Sequence, residues 1–399
     1  MANLSLNQIS PAKYISLVKN QAVRPRFRLS ILYQDESIRE DISDYIVDDS
    51  GRLEVEYAQG QRRSLNFTLN NIDGQFTPLN MNSKIWVNTK FKLELGMEFE
   101  NGDIVWNSAG IFVVGNPNAI RRDGETTISI QCYDKFALLD GTLGGTLEAT
   151  YEVPADTKIY NVLVDTLNQD NGNNYPIDIK PVLFDDTLID EKTVYTLSKS
   201  ANESLGDIFI ELAEMISCDI YYNEEGNLVV QSGIKDISQV NKPTLWTFSD
   251  TEFAYLSSSI DYDFTKIKNR VIVVGSNVNS DNGTYVAVAE NTNPRSSNRI
   301  EVIGTRNYYL EDSNIYSEYL AQSRADYELN KLSILQQTIE IESTFMIHLD
   351  VNNCVSLEDD FFEYYDSRFI IQSLTVPLST DSQLSIICTN IASLPYYPS

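Results

Sequence analysis

The sequence SSSIDYDFTKIKNRVIVVGSN (257–277) opens the stretch that decides the fold, which runs on to residue 391. The remainder of the stretch reads RIEVIGTRNYYL (299–310), SNIYSEYLAQSRADYELNKL (313–332), QTIEIESTFMIHLD (337–350), CVSLEDDFFEYYDSRFIIQSLTV (354–376) and SQLSIICTNI (382–391). In the segment that begins at 337, apolar residues such as Ile339 and Ile341 alternate with polar ones. This period is typical of strands with one buried face. The stretch predicts a β-rich unit closed by a helix over 314–331, and nothing in it indicates a cofactor cradle or a catalytic loop.

The N-terminal third repeats the β pattern. RFRLSILY (26–33), RLEVEY (52–57) and SLNFTL (64–69) each alternate apolar with polar residues. The connection NNIDGQFTPLN (70–80) contains an Asp-Gly turn signal, and ISIQCYDKFALLDG (128–141) reads as a strand that leads into a helical turn. Regularly spaced strands with turn signals between them predict a β-sandwich or barrel.

The middle of the chain changes character after GTLGG (141–145), which we interpret as a flexible joint. TKIYNVLVDTLNQ (157–169) and SANESLGDIFIELAEMISC (200–218) carry apolar residues at helical spacing. CDIYYNEEGNLVVQ (218–231) reads as a hairpin with Gly226 in its turn. The middle region is therefore predicted to be mixed α/β.

These patterns give the predicted fold class: mainly β, with an α+β insertion. Two tube-forming β-barrel or sandwich domains, one N-terminal and one C-terminal, flank the mixed α/β middle region. A chain of 399 residues is long enough for several domains. The predicted division is an N-terminal arm (1–23), a first β domain (24–140), an α/β middle (141–250) and a second β domain (251–399).

The chain is strongly acidic, with 57 Asp and Glu against 30 Lys and Arg and a net charge of −27. Such a balance argues against specific recognition of nucleic acid through phosphates and against an anionic membrane surface. No apolar run approaches the length of a membrane span, and residues 1–18 lack a secretory apolar core. The four cysteines lie far apart in apolar surroundings, which predicts buried, reduced thiols of a protein made in a cytoplasm.

The basic residues that precede Asp35 form a candidate docking arm, because no acidic residue separates them. They are Lys13, Lys19, Arg24, Arg26 and Arg28. A basic arm on an acidic body is suited to the acidic surface of a neighbour. An ordinary terminus followed by an arginine-rich strand face explains the same pattern, and both interpretations stay open.

The densest acidic cluster lies in 358–366 and is interleaved with aromatic residues. Its members are Glu358, Asp359, Asp360, Glu363 and Asp366. Paired carboxylates beside aromatic rings are used by glycosidases and by sugar-binding clefts. A solvated hairpin tip, or a tip that faces a lumen, has the same composition, and we favour that interpretation.

Other motifs carry little chemistry. His348 is the single histidine, and it lies in an apparent strand, where a half-exposed position is favoured over a catalytic role. No Walker sequence or strand-linked GxGxxG is present, so no cofactor is predicted. NVNSDNG (277–283) imitates a calcium loop, but its glycine is misplaced for an EF-hand and Val288 stands at the position of the bidentate glutamate.

Three segments resemble the baseplate hub, or tail-associated, proteins of tailed bacteriophages. The first runs from LNNIDGQFTPL (69–79) through WNSAGIFVV (106–114) to ISIQCYDKFALLDG. The second is ESLGDIFIELAEMISCDIYYNEEGNLVV (203–230), and the third joins IDYDFTKIKNRVIVVGSN (260–277) to the final strands. The resemblance covers about residues 24–391 and rests on the order of these segments. Because the chain ends at SLPYYPS, it resembles the short form that carries no enzyme or fibre domain.

The resemblance implies a homotrimer in which each subunit gives two similar β domains to a ring or cup that continues the tail tube. It implies a structural, non-enzymatic role at the distal end of the tail of a virion. Implied partners are the distal tail protein or tail tube, the tape-measure protein, and receptor-binding proteins or fibres. DNA would pass through the channel without being recognised. A host-surface glycan-binding module is the alternative, and a peptidoglycan hydrolase is a third hypothesis.

Overall fold

The computed structural model describes residues 9–20, 23–122, 124–169, 175–216, 218–232, 243–276, 284–312, 315 and 317–390. The calcium-like sequence 277–283, residues 1–8 and 21–22 of the predicted arm, and the C-terminal residues from 391 lie outside this part. The described chain falls into two compact units. Unit 1 contains the described residues up to 232 together with 243–257 and 341–387, and unit 2 contains those of 258–340 and 388–390.

Strands dominate the regular structure, which confirms the prediction of a mainly β chain. The helices are α1 (Pro11–Asn20), α2 (Ile159–Leu167), α3 (Leu205–Met215), α4 (Ile300–Ile303) and α5 (Glu318–Leu332). The strands in the first half are β1 (Arg24–Leu32), β2 (Ile38–Asp41), β3 (Gly51–Glu56), β4 (Arg63–Asn70), β5 (Lys90–Glu98), β6 (Ile104–Arg122), β7 (Glu125–Asp134), β8 (Tyr151–Val153), β9 (Leu183–Phe184) and β10 (Leu197–Lys199). The remaining strands are β11 (Cys218–Tyr222), β12 (Leu228–Ser232), β13 (Thr244–Ser249), β14 (Tyr255–Asp263), β15 (Arg270–Ser276), β16 (Thr284–Glu290), β17 (Asn307–Asp312), β18 (Gln336–Thr344), β19 (Cys354–Asp359), β20 (Tyr364–Leu378) and β21 (Gln383–Thr389).

One sheet of 13 strands contains both the first and the last strands of the chain. Its main order is β14-β18-β21-β20-β3-β4-β7-β6-β5-β1-β2, and β19 joins β13 to β20. The two halves of the chain meet where β20 pairs antiparallel with β3, from Ser373 opposite Glu56 to Leu378 opposite Gly51. Among the described residues, no strand pairing closes this sheet into a barrel. The first and last strands therefore belong to one sheet, and the division into two β domains stays a prediction.

The alternation seen in the sequence sets the faces of the sheet. Leu65, Phe67 and Leu69 of β4 are buried, and the residues between them are partly exposed. Residues of period 2 point to one side of a strand, so a single register buries all three apolar side chains. A shift of one residue would expose them, which is why the pattern specifies the pairing of β4 with β7.

The middle region forms an α/β core within unit 1, as its sequence predicts. Helices α2 and α3 pack their apolar faces together with β11 and β12. Helix α3 begins with a capping box, in which Ser204 accepts a hydrogen bond from the Asp207 amide and Asp207 accepts one from the Ser204 amide. The four cysteines of the chain are buried as thiols, as predicted.

The GTLGG sequence is a close-packed turn rather than the flexible joint that we predicted. Gly145 has φ +83°, and a Cβ atom added to it would lie 2.2 Å from the Leu139 carbonyl oxygen. The Gly145 carbonyl accepts a hydrogen bond of 2.8 Å from the Leu205 amide at the start of α3. Glycine is needed here because the turn approaches the 136–139 segment more closely than any side chain allows.

Replacing Gly145 with alanine is expected to destabilise unit 1 by about 2–4 kcal/mol, from the left-handed φ together with backbone displacement. Gly102→Ala is the matched control, because Gly102 has φ +84° and no atom within 4 Å of an added Cβ. The control should lose only about 1 kcal/mol. Urea unfolding of the two variants measures the difference, and equal losses would contradict the close-packing explanation.

Unit 2 is built around a three-stranded sheet and α5. Strand β15 pairs antiparallel with β16 and parallel with β17. Val271, Val273 and Ala289 of the sheet are buried together with Ala321 and Ala325 of the helix, whose small side chains permit close packing. Helix α5 begins later than predicted, because the hydroxyl of Ser317 caps it by accepting a hydrogen bond from the Leu320 amide.

Candidate functional site

The predicted acidic cluster lies at the turn between β19 and β20, and Asp359 holds that turn together. Its side chain is buried, with 6% exposed. Its Oδ1 accepts hydrogen bonds from the amides of Phe361 (2.9 Å) and Phe362 (3.1 Å), and its Oδ2 accepts one of 2.6 Å from the Tyr255 hydroxyl. Asp359 is therefore a turn-forming residue, and it is not available to a ligand.

The other described members of the cluster face solvent. Glu358, Asp360 and Glu363 are exposed, and Glu363 has φ +57° in the turn. Phe361 is 86% exposed and packs edge to face against Phe362 with ring centroids 5.0 Å apart. The side chain of Asp366 lies outside the described part. The tip thus presents an aromatic ring among carboxylates, which is suited to a contact surface.

The first part of the candidate docking arm is a helix packed on unit 1. Tyr14 and Val18 of α1 are buried, whereas Lys13 on the other face is exposed. Lys19 forms a salt bridge with Glu252. The helix is therefore anchored through its apolar face, and Lys13 is the residue of α1 that presents a positive charge to solvent.

The arginines of the candidate arm lie on β1 and are partly neutralised within the chain. Arg26 forms a salt bridge with Glu98, and Arg28 lies 3.3 Å from Glu94. Arg24, at the start of the strand, is exposed. This arrangement corresponds to one of the two interpretations that the sequence left open, namely an arginine-rich strand face. A docking role for these residues stays a prediction.

The second half of β6 is an open strand edge that sequence reasoning did not identify. Strand β5 pairs with β6 only as far as Val113, and residues 116–122 pair with β7 on one side. Among the described residues, no strand occupies the other side of this segment. The Asp123-Gly124 turn signal that follows β6 is the sequence feature that predicts a hairpin here.

Two exposed arginines lie at the end of this open edge. Arg121 and Arg122 form no ion pair with the described residues, in a chain that is otherwise rich in acid. Pro117 lies in the same segment, and a proline in a strand is tolerated where its nitrogen faces away from the ladder. Proline and charge at an edge limit unspecific strand addition, so this edge is suited to a specific partner.

A buried ion cluster connects the β sheet to the α/β core. The Nζ atom of Lys135 lies 3.0 Å from Glu36 and 2.6 Å from Asp178, and all three side chains are at most 3% exposed. Lys90 adds a second cation 2.6 Å from Glu36. Burial by itself raises the pKa of Glu36, but Lys135 and Lys90 outweigh it and hold this pKa below its usual value.

A second buried cluster lies beside the turn before β4. Asp134 accepts hydrogen bonds from the amides of Arg62 (2.8 Å), Arg63 (2.9 Å) and Phe136 (2.9 Å). Burial nevertheless raises the pKa of Asp134 to about 6. The buried Arg62 guanidinium lies 3.6 Å from Asp219 of β11. Both clusters tie distant segments of unit 1 together.

His348 lies in an irregular segment after β18 rather than in a strand. It is half-buried, as expected, and its Nδ1 lies 2.8 Å from the Tyr14 hydroxyl. The amide of Ile347 also donates to that hydroxyl, at 3.3 Å. Burial lowers the pKa of His348 to about 3, so the ring is neutral near pH 7. Its position ties α1 to the segment that follows β18.

Neither a metal centre nor a membrane helix is found in the part of the chain that the structure describes. No group of three or more His, Cys, Asp or Glu side chains there is arranged to hold a metal ion. None of the helices described above is long and apolar enough to cross a membrane.

Comparison with known proteins finds similar structures but no similar sequences. No protein-family model matches the sequence, and no curated protein matches it in sequence. The tail protein of Neisseria meningitidis MC58 has a similar structure, with 12% identity, a TM-score of 0.60, and 91% of this chain and 96% of that chain covered.

Two further structures are similar. The 43 kDa tail protein of prophage MuSo2 from Shewanella oneidensis is 13% identical, with a TM-score of 0.59 and coverage of 92% of this chain and 99% of that chain. A chain of the half-lidded Francisella PdpA–VgrG complex is 10% identical, with a TM-score of 0.56 and coverage of 97% and 62%. The chain has the fold of phage tail proteins, which confirms the resemblance seen in the sequence.

Proposed function

We propose that this chain is a structural hub of a phage tail tip or baseplate. Three copies form a ring or cup that continues or closes the tail tube, at the distal end of the tail in the virion. The similarity of nearly the whole chain to tail proteins supports this role. The compared proteins are described as tail proteins and as part of a VgrG complex, which favours a structural rather than an enzymatic role.

The observation that carries the proposal is that the large sheet has open edges on different strands. Among the described residues, the sheet path ends in β14 on one side and in β2 on the other, and the 116–122 segment of β6 leaves a further edge open. Two different open edges on one subunit allow head-to-tail contacts, which close into a ring when the rotation between copies is right. Edge-to-edge addition of three copies would form a tube-like barrel, which the described residues of one chain do not close by themselves.

The acidic character of the chain suits a channel for DNA. A lumen that repels phosphate lets the polymer slide instead of binding. In the ring that we propose, Glu358, Asp360 and Glu363 at the β19–β20 tip are candidates for the lumen or for a contact with a neighbour. The distal tail protein or tube, the tape-measure protein and receptor-binding proteins or fibres are the proposed partners, and receptor engagement opens the ring for DNA passage.

A glycan-binding module is the second candidate, because Phe361 is exposed among carboxylates at the same tip. Aromatic rings that lie open to solvent are common at sites of recognition. This function predicts that the isolated chain binds host cells as a monomer. Binding of labelled chain to host cells, with Phe361→Ser as control, distinguishes it from the hub.

The mass of the purified chain tests the proposed hub directly. Light scattering after size exclusion is expected to give three copies, with threefold rings in negative-stain images. Ala119→Pro should give a monomer. Pro117 has no N–H group, so its nitrogen faces the open side of β6, and Ala119, two residues further on, directs its amide to the same side. The substitution removes the hydrogen-bond donor that a second copy would use. Ala119→Thr keeps that amide and should remain a trimer.

The two variants also separate assembly from folding. The Ala119→Pro monomer should still unfold in one cooperative transition, since the outward amide makes no bond inside the chain. A trimer that persists in Ala119→Pro would show that the open edge does not join the copies. A wild-type monomer that binds host cells would favour the glycan-binding module.

A further inference from the structure

A cavity of about 70 Å³ lies within unit 1, bounded by the large sheet and by the segment 346–350 that follows β18. Apolar side chains of β3, β5, β6, β20 and this segment form the larger part of its wall. Six polar residues complete the wall: Arg63, Asn107, Ser108, Glu224, His348 and Asp350. The cavity is therefore polar enough to hold a ligand that forms hydrogen bonds.

Arg63 contributes a buried polar atom that lacks a partner. Its side chain is 4% exposed, and its guanidinium Nη2 forms a salt bridge with Asp350 and lies 3.9 Å from Glu224. The buried Nε atom of the same guanidinium forms no hydrogen bond with the described residues. A buried N–H group without an acceptor is costly, so this atom indicates a partner that comes from outside the chain.

His348 contributes a second such atom, since its buried Nε2 has no hydrogen-bond partner in the part of the chain that the structure describes. Its Nδ1 lies 2.8 Å from the Tyr14 hydroxyl, which also lies 3.3 Å from the Met97 sulfur. When Tyr14 donates to Nδ1, the neutral ring carries its proton on Nε2, which is then a donor. When Tyr14 donates to the sulfur, Nε2 is an acceptor. In both arrangements Nε2 needs a partner.

The polar groups of the cavity identify the kind of ligand that fits. The Nε atom of Arg63 is a donor, so a cation finds no ligand there. The charge of Arg63 is already matched by Asp350 and Glu224, so an anion would meet two carboxylates. Water both donates and accepts, and it fits either arrangement of His348. At about 30 Å³ for each molecule, the cavity has room for about two waters.

We propose that this cavity is a binding site for about two ordered water molecules, which bridge the Nε atom of Arg63 and the Nε2 atom of His348. Ser108, which is 9% exposed, and the carboxylates of Asp350 and Glu224 line the same cavity and offer acceptors for the protons of the waters. The waters connect the sheet with the segment that follows β18. The site lies inside one chain, so it does not depend on the proposed ring.

A high-resolution crystal structure of the full chain tests the ligand directly. Electron density for water is expected in the cavity, within hydrogen-bond distance of the Arg63 Nε atom and of the His348 Nε2 atom. Crystals soaked in sodium bromide should show no anomalous peak there. A bromide peak would assign an anion to the site, and a cavity without density would leave the two nitrogen atoms unbridged. Either result overturns the proposal.

A pair of valine-to-threonine substitutions tests the site in solution. Val55 lines the cavity, whereas Val230 lies in the apolar α/β core, and each is 1% exposed. Threonine has nearly the shape of valine and adds a hydroxyl, which is costly when it is buried without a partner. In Val55→Thr the bound waters supply that partner, so the midpoint of urea unfolding should fall by less than half of the fall in Val230→Thr. Equal falls in the two variants would overturn the proposal.

Discussion

Replacing Lys135 with methionine is expected to destabilise unit 1 by about 3–5 kcal/mol, the usual cost of leaving buried charges without their partner. Lys135 lies between Glu36 and Asp178, and the three side chains are almost inaccessible to water. Methionine has a similar length and no charge, so the substitution removes the ion pairs with little change in volume. Urea unfolding of the purified chain, followed by tyrosine and tryptophan fluorescence, measures the loss.

Lys158→Met is the matched control, because Lys158 also lies 2.6 Å from a carboxylate, Asp190, but at an exposed position. Exposed pairs contribute about 0–1 kcal/mol, so the control should unfold almost as the wild type does. A second variant combines Lys135→Met with Glu36→Gln and Asp178→Asn. It should recover much of the stability, since no buried carboxylate is left unpaired. Equal losses in Lys135→Met and Lys158→Met would show that the buried cluster does not support the fold.

Acidification from pH 7 to pH 4 is expected to cost about 3 kcal/mol of unfolding free energy through His348 alone. Burial lowers its pKa in the folded chain to about 3, whereas the unfolded residue titrates near 6.5. The unfolded chain therefore binds the proton over this interval and the folded chain does not. The contribution of His348 is complete above pH 6.5 and is lost as the pH falls towards 3.

His348→Gln is expected to flatten this part of the stability profile, because glutamine does not titrate and still offers an oxygen to the Tyr14 hydroxyl. Asp134 acts in the opposite direction, since its raised pKa makes the folded chain bind the proton more tightly as the pH falls through about 6. Urea unfolding at intervals between pH 7 and pH 4 compares the two chains. Parallel profiles for wild type and His348→Gln would remove His348 as the source of the acid sensitivity.

The stability effects predicted for Lys135 and His348 concern the fold of the subunit, on which the proposed ring depends. The Lys135 cluster joins the sheet to the α/β core, and His348 joins α1 to the segment that follows β18. Neither group lies on the open edge of β6. Variants at Lys135 and His348 should therefore alter stability, whereas variants at Ala119 should alter assembly, and the two effects can be measured separately.

Local patterns in the sequence determined which segments become strands and helices. The alternation in β4 and the apolar face of α3 require only the periods of the strand and the helix, which neighbouring residues display directly. The same patterns, read in their order along the chain, carried the resemblance to phage tail proteins that the structural comparison confirms. The burial of the four cysteines in apolar runs followed from the same kind of information.

Only the tertiary structure decided how distant segments combine. The pairing of β3 with β20 joins the first and last strands in one sheet, and the sequences of β3 and β20 would fit other antiparallel partners equally well. The open edge of β6 exists because β5 ends its pairing at Val113, a limit set by the register of two strands. Long-range packing determines which strands pair, and it leaves no periodic pattern in the local sequence from which the partner strand could be predicted.

The candidate functional residues were likewise determined partly by the sequence and partly by the tertiary structure. The sequence identified the acidic and aromatic residues of 358–366, but the burial of Asp359 follows from Tyr255, a residue more than a hundred positions away. It identified the basic residues of α1 and β1, whereas their partners Glu252 and Glu98 are supplied by other segments. Whether a charge faces solvent or a partner depends on which elements fold against it. For that reason composition predicted the chemistry of each segment, and the fold alone decided which charges remain available for another protein.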